Sequence, residues 1–528
     1  MKKNEKAIQK KKSNNEILVL EKKNNSFKLF LLIIVIGTLF LMMPHFNEYL
    51  WFDEAFSISL SSKSLKDIWM ISSQDVHPIL YYIILHFVLL LSNNNIIIAK
   101  LFSIIPIIVL GVLGYTHIRK DFGERVGLLF TLFSFFSPII VSYAGEIRMY
   151  SLSLLLSTIV FIYAYRIIKG NYNLHNWIIL IVFSILASYT HYYALFCSMI
   201  VLTSLLTYFI IKVFKTRKST DVERHFNTRT NLRKAFFAFL IWFISYIPWI
   251  KIVYSQAINI SKDYWIPIPW VHDIIQEQIS GYIEFLFTYN PVLSNIYKIL
   301  FMIISLSIFG YMVYKLFLNH KNKKYKAIWP AIFIYLAVIV FIIIASLILR
   351  QSIIYGRYFM VLTGLFILIN SFVLANENKE LIVKIICICY IFISIILNIN
   401  LMIKNNSPTN KLPIDFVNGY YQNGDWIMTN EDGTGFTIMA NLNSKNNIFY
   451  NKEDWGVEGA FEAFGKTITS LDEIKEFKGR IWIITEDDFE LLNEMQNSFE
   501  NVEIIAYDSF STIYRDYKYS IYLLNIKW

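Results

Sequence analysis

Residues 79–92 read ILYYIILHFVLLLS, and whether this run crosses a membrane decides how the rest of the chain is threaded. A helix needs about 20 apolar residues to cross a bilayer, and this run is shorter. A longer run, 28–46 (KLFLLIIVIGTLFLMMPHF), precedes it. The next run, 96–116, ends in HIRKDFGERVG, with Arg119, Lys120 and Arg125. Basic loops belong on the cytoplasmic side. If 79–92 spans, that loop lies outside and every later loop is inverted; if it lies along the membrane, the loop is inside. On the second reading the runs 127–143, 151–168, 177–190, 194–214, 235–254, 292–318, 327–349, 359–375 and 381–403 alternate in direction. The result is about 11 transmembrane helices plus juxtamembrane helices, N terminus inside and C terminus outside. The loops HIRKDFGERVG, KTRKSTDVERHFNTRTNLRK and NHKNKKYK then share the inner face, and a long segment, 255–291, lies outside.

The composition agrees. Of 528 residues 55% are hydrophobic, 17% aromatic and only 17% charged, with mean hydropathy +0.46. Soluble chains average about 25% charged. The net charge of +10 sits in short segments between apolar runs, which argues for loops and against nucleic acid as a partner. Cys197, Cys387 and Cys389 all fall inside apolar runs, where cysteine behaves as a small hydrophobe. Residues 1–27 form a basic cytoplasmic tail without a cleavage site after the first apolar run, so that run is read as a retained span.

After residue 404 the chain turns polar. DWIMTN, NNIFYN, RIWIITED, VEIIAYD and SIYLLNI read as strands, with amphipathic SLDEIKEFK and DDFELLNEMQNSF between them. Strands alternating with helices predict a small extracytoplasmic α/β domain over 405–528, appended to a membrane domain over 28–404. It shows no clear catalytic constellation.

The threading gathers ionisable residues on the outer face: Asp53, Glu54, Asp75, His77, Glu146, Arg148, His191, Arg350 and Arg357, with tyrosines 81, 82, 150, 192 and 358 among them. Membrane-edge charges mark function by default. Plainer readings exist for each. Asp53 and Glu54 suit a helix N terminus. Pro78 suits a first helical turn, which would make His77 an N-cap or interfacial residue and the helix start an anion site. Glu146 and Arg148 could pair with each other. Arg357 could snorkel, and the tyrosines could form an interfacial belt. A carboxylate above the membrane fits a general base, and a guanidinium fits a phosphate.

WFDEAFS (51–57), DVHPILYY (75–82), GEIRMYSL (145–152), SYTHYYALF (188–196) and YGRYF (355–359) together resemble the GT-C membrane glycosyltransferases, and most nearly glycosyltransferase family 39, the protein O-mannosyltransferase and aminoarabinose transferase group. The resemblance covers 28 to about 375; Ile79 stands where the family often has a second proline. It implies an inverting hexosyl or pentosyl transferase that moves a sugar from a polyprenyl-phosphate donor to a hydroxyl of a protein, glycolipid or wall-polymer acceptor on the outer face. Asp53 would be the base, with Glu54 and Glu146 as further catalytic acids. His77, Tyr81, Tyr82, Arg148, Tyr150, His191, Tyr192, Arg357 and Tyr358 would bind substrate. The family is not uniform in metal use. A divalent cation remains open as a cofactor, without a ligand set of its own in the sequence. A transporter or flippase of lipid-linked saccharides is the alternative, disfavoured by the absence of sequence repeats and of mid-span charges. The Lys/Asn/Ile-rich composition points to a bacterial plasma membrane.

Overall fold

The structure, a computed structural model, describes residues 24–216, 222–262, 266, 291–442, 444–451, 458–486, 489–513 and 515–527. Nine described helices are long and apolar enough to cross a membrane: Asn24–His45 (α1), Ile96–Phe122, Tyr150–Ile168, Tyr192–Thr216, Phe226–Ile260, Ile299–Leu318, Trp329–Leu349, Gly356–Ala375 and Glu380–Asn405. Each matches a span expected from the sequence, and the chain is a multi-pass membrane protein. The basic tail lies outside the described residues up to residue 23, as does most of the 255–291 segment.

The connection after α1 holds two short helices, Phe52–Ser61 (α2) and Leu65–Ser72 (α3). The run at 79–92 becomes Leu80–Leu91 (α4). At 1.5 Å per residue it is about 18 Å long, well short of the ~30 Å hydrocarbon core. That agrees with its reading as a juxtamembrane helix, but two of the expected spans are also short. Residues 127–143 form Glu124–Phe136 and Pro138–Tyr143, broken at Ser137–Pro138 because proline can neither donate its backbone hydrogen bond nor sit inside a helix without a clash. Residues 177–190 form Leu174–Ser188.

Tyr150–Ile168 and Gly356–Ala375 are apolar around nearly their whole circumference and enclosed by protein, whereas Trp329–Leu349 turns most of its surface outward. The two central helices are in close contact: a side chain at Gly364 would run into the Thr158 hydroxyl.

Beyond Asn405 a six-stranded sheet forms from Trp426–Thr429 (β1), Asn447–Tyr450 (β2), Lys466–Ile468 (β3), Gly479–Thr485 (β4), Val502–Ser511 (β5) and Lys518–Ile526 (β6). Their order is β3-β2-β1-β4-β6-β5. The first four are parallel; β6 runs antiparallel to β4, and β5 to β6. Alternate side chains enter two cores, as the period of two requires. Met428, Ile448, Ile483 and Leu524 face the helix Glu490–Ser498, with Leu491 and Met495. Ile427, Phe449, Trp482 and Leu523 face the opposite way and join one apolar cluster continuous with the membrane body. The helix Asp432–Leu442 lies at that junction. Its Asn441 accepts from Leu50 N (3.1 Å) and donates to Leu50 O (3.0 Å), and its Phe436 stacks on Phe52 and Phe464. The sheet domain is thereby fastened to the chain entering α2.

Candidate active site

Asp53 and Glu54 occupy the first turn of α2 after Trp51, whose backbone is extended (φ −94°, ψ 171°). Adjacent helical residues diverge by about 100°, so the two acids serve different neighbours. Both are buried. Asp53 Oδ2 lies 2.8 Å from Arg357 Nη1 and 3.9 Å from Arg148 Nε. Glu54 Oε1 accepts from Ile147 N at 3.1 Å, and Oε2 lies 3.9 Å from Lys100 Nζ. Burial alone would push both carboxyls up. At Asp53 the charges of Arg357, Arg148, Arg515 and His77 outweigh burial and hold it below the usual carboxylate range. At Glu54 burial wins over Lys100 and the Ile147 amide.

Residues 144–149 form a tight turn, closed by Arg148 N donating to Glu146 O (2.7 Å), before the helix at Tyr150. It separates two side chains that the sequence left free to pair. Arg148 reaches the Asp53 carbonyl (3.4 Å), Ser57 Oγ (3.3 Å), the Tyr82 hydroxyl (3.4 Å) and the His77 ring (3.5 Å). Glu146 instead pairs with Arg515 of the sheet domain, Oε1 to Nη2 at 2.9 Å. Burial raises Glu146 to about 7 against the pull of Arg515 and Arg357. Its Oε2 has no hydrogen-bond partner among the described residues. Glu146 borders a small cavity of about 10 Å³, shared with His45, Tyr49, Glu54, Lys100 and Asn405. That is room for about one water.

The stretch around His77 folds differently from expectation. The helix starts at Leu80 with Ile79 as a cap that makes no side-chain bond, so Pro78 precedes the helix and His77 is not its N-cap. Leu80 N, one of the donors at that helix start, is taken by Tyr189 O at 2.8 Å. His77 Nδ1 is 3.4 Å from Asp75 Oδ2, which also accepts from the Tyr82 hydroxyl at 3.2 Å. His191 Nδ1 accepts from Tyr193 N at 3.1 Å, so Nε2 carries the ring proton, and Nε2 is buried without a hydrogen-bond partner among the described residues. Burial, then the neighbouring His77 and arginine charges, hold His191 neutral.

His77, His191 and Tyr358 form the polar end of a cavity of about 110 Å³ whose remaining wall is largely apolar, including Phe196, Val253 and Ile353. Their rings meet edge to face at 5.0–6.1 Å between centroids. Tyr150 lies 6.1 Å from His191 and below Arg357, 5.9 Å from its guanidinium. Tyr192 lines the same cavity, and its hydroxyl is bonded to Gln256 and Trp249. Tyr81 turns away to bond Ser103 at 3.1 Å. Arg350 ends the Trp329–Leu349 helix in a left-handed turn (φ 57°).

The structure adds three residues that sequence reading missed. Lys100 lies inside an apolar helix, yet donates to Asn47 Oδ1 (2.7 Å) and Tyr49 O (2.6 Å) beside Glu54. Trp51 stacks under Arg515 at 3.7 Å, with Arg357 at 5.6 Å. Arg515 arrives from the other domain. Among the described residues no group of three or more His, Cys, Asp or Glu converges as metal ligands would. Asp53 and Glu146 are each engaged by an arginine.

No family model matches the sequence, and no curated protein matches it. Solved structures do. The chain is similar to ArnT from Cupriavidus metallidurans in the apo state, with TM-score 0.58 and 9% identity over 93% of this chain and 97% of that one. It is also similar to the same protein bound to undecaprenyl phosphate, with TM-score 0.55 and 11% identity over 94% and 97%. The shared property is the fold, which extends over nearly the whole length of both chains.

Proposed function

We propose that the chain is an inverting glycosyltransferase that takes a hexose or pentose from a polyprenyl-phosphate donor and places it on an acceptor hydroxyl at the outer face of the membrane. One observation carries the reading: Asp53 is held ionised between Arg357 and Arg148, and Arg148 abuts His77 at the polar end of an apolar cavity. The neighbour's binding of undecaprenyl phosphate supports the donor class.

The donor's isoprenoid tail remains in apolar surroundings and its phosphate meets Arg357, Arg148 and the Nε2–H of His191. The acceptor oxygen attacks the anomeric carbon from the face opposite the phosphate. The carbon–oxygen bond to phosphate breaks and the anomeric configuration inverts. The hydroxyl proton passes to Asp53. Negative charge grows on the departing phosphate, where fixed donors in a dry site stabilise it. At rest Arg357 is occupied by Asp53. An arriving phosphate competes for it, and as Arg357 shifts its charge to the donor, Asp53 becomes the stronger base. Tyr150 and Tyr358 flank Arg357 and the two histidines and shape the sugar's place.

The test uses protein in nanodiscs, a panel of radiolabelled polyprenyl-phosphate sugars and a membrane extract, with wild type beside Asp53→Asn. Sugar should leave one carrier with wild type only. Binding without release by well-folded wild type would instead support a transporter, and no binding would refute the donor class.

A further inference from the structure

We propose that Arg515, carried by the C-terminal sheet domain, is a positioning residue of the membrane-edge site that holds the Glu146 side chain in place and favours its ionised form. Its bearing on transfer rests on the glycosyltransfer reading; the contact between the two parts of the chain does not.

Arg515 sits in the turn between β5 and β6. It and Asp516 both adopt left-handed backbone, with φ of 64° and 52°. Two consecutive non-glycine residues in that region are uncommon. The turn delivers the guanidinium flat against Trp51 and within 2.9 Å of Glu146 Oε1. Trp51 is the residue from which α2 starts, immediately before the acids. The same domain grips the adjoining backbone at Leu50 through Asn441. A surface side chain that touched the site by accident would not be accompanied by this second anchor.

The charges around Glu146 come from several elements. Asp53 and Glu54 of α2 oppose its ionisation, and Arg357 favours it from the segment after Tyr355. Lys100, His45 and Tyr49 share its small cavity. Arg357 is engaged with Asp53, and Lys100 with Asn47, Tyr49 and Glu54. Among the described residues, the ion pair of Glu146 is with Arg515. Without that cation, a buried carboxyl beside two acids favours its neutral form.

Infrared difference spectroscopy of the full-length protein in nanodiscs reads this directly. A pH titration follows the protonated-carboxyl band that Glu146→Gln removes. In Arg515→Gln, which keeps a hydrogen-bonding side chain but no charge, its midpoint should move up by about 1 pH unit or more. Arg515→Lys should leave it near the wild-type value, and Asn441→Ala, which loosens the domain's grip, should move it part of the way. An unmoved midpoint in folded Arg515→Gln overturns the proposal. If Arg515→Gln does not fold, an unmoved midpoint in Asn441→Ala overturns it, and a shift there supports it. These outcomes do not depend on whether the wild type transfers sugar. If it does, the acid limb of its pH–rate profile should move with the band.

Discussion

Asp53→Asn removes the carboxylate that Arg357 holds at 2.8 Å. At an effective dielectric of about 20, two unit charges at that separation attract by about 6 kcal/mol. A phosphate that takes Arg357 as its partner must first overcome part of this attraction. If even a quarter of it is lost on donor binding, removing Asp53 returns about 1.5 kcal/mol, slightly more than tenfold in affinity. The variant should therefore bind polyprenyl phosphate about tenfold more tightly while losing transfer. Tight binding and lost turnover are separable by titrating a fluorescent polyprenyl phosphate into nanodiscs beside the radiolabel assay. A thermal melt guards against misfolding, since Arg357 and Arg148 lose a buried partner and this can cost about 3–5 kcal/mol. Unchanged or weaker binding by folded Asp53→Asn would refute the competition between carboxylate and phosphate for Arg357.

Glu146 makes stability depend on pH. Its folded value of about 7 lies above its ordinary 4.5, so the native state binds this proton more tightly than the unfolded chain does. That contribution is complete below about 4.5 and is lost as pH rises to about 7, at most about 3 kcal/mol; Glu146→Gln should flatten the melting temperature over this window. Gly364→Ala forces a methyl group into Thr158 between the two central helices. It should cost about 1–3 kcal/mol, read as a lower melting temperature in detergent, with Thr158→Ala restoring much of it. Lys475 and Lys321 are exposed at opposite ends of the proposed threading. In cells, an impermeant thiol reagent should label Lys475→Cys and spare Lys321→Cys; the reverse pattern would invert the orientation.

Much of the site was legible because membrane-edge charges are costly and so stand out. Asp53, Glu54, His77, Glu146, Arg148, His191 and Arg357 all emerged from one assumption about residues 79–92, and all except Glu54 and Glu146 meet around one pair of arginines and one cavity. Their partners were less legible. Glu146 and Arg148 are two residues apart in a turn, and only the closed turn separates their side chains. Lys100 carried an unread signal, a lone cation in IIIAKLFSII, which a span does not tolerate without a partner. Arg515 carried none: it lies in an ordinary polar stretch, and its aim depends on two backbone angles and on the docking of a domain. Among the strands, DWIMTN and SIYLLNI declared themselves by their β-branched and aromatic residues, whereas β3 is only three residues long.

The contact between Arg515 and Glu146 joins residues 369 positions apart. Chains are made from the N terminus at about 5–20 residues per second, so Glu146 leaves the ribosome roughly 20–70 s before its partner does. During that interval the membrane helices can assemble around an acid cluster that lacks one of its cations. Formation of this ion pair is thus tied to synthesis of the sheet domain: a ribosome that stalls within β5 leaves Glu146 without the cation it pairs with. The sheet domain, made after the membrane helices, thereby sets when this contact can form.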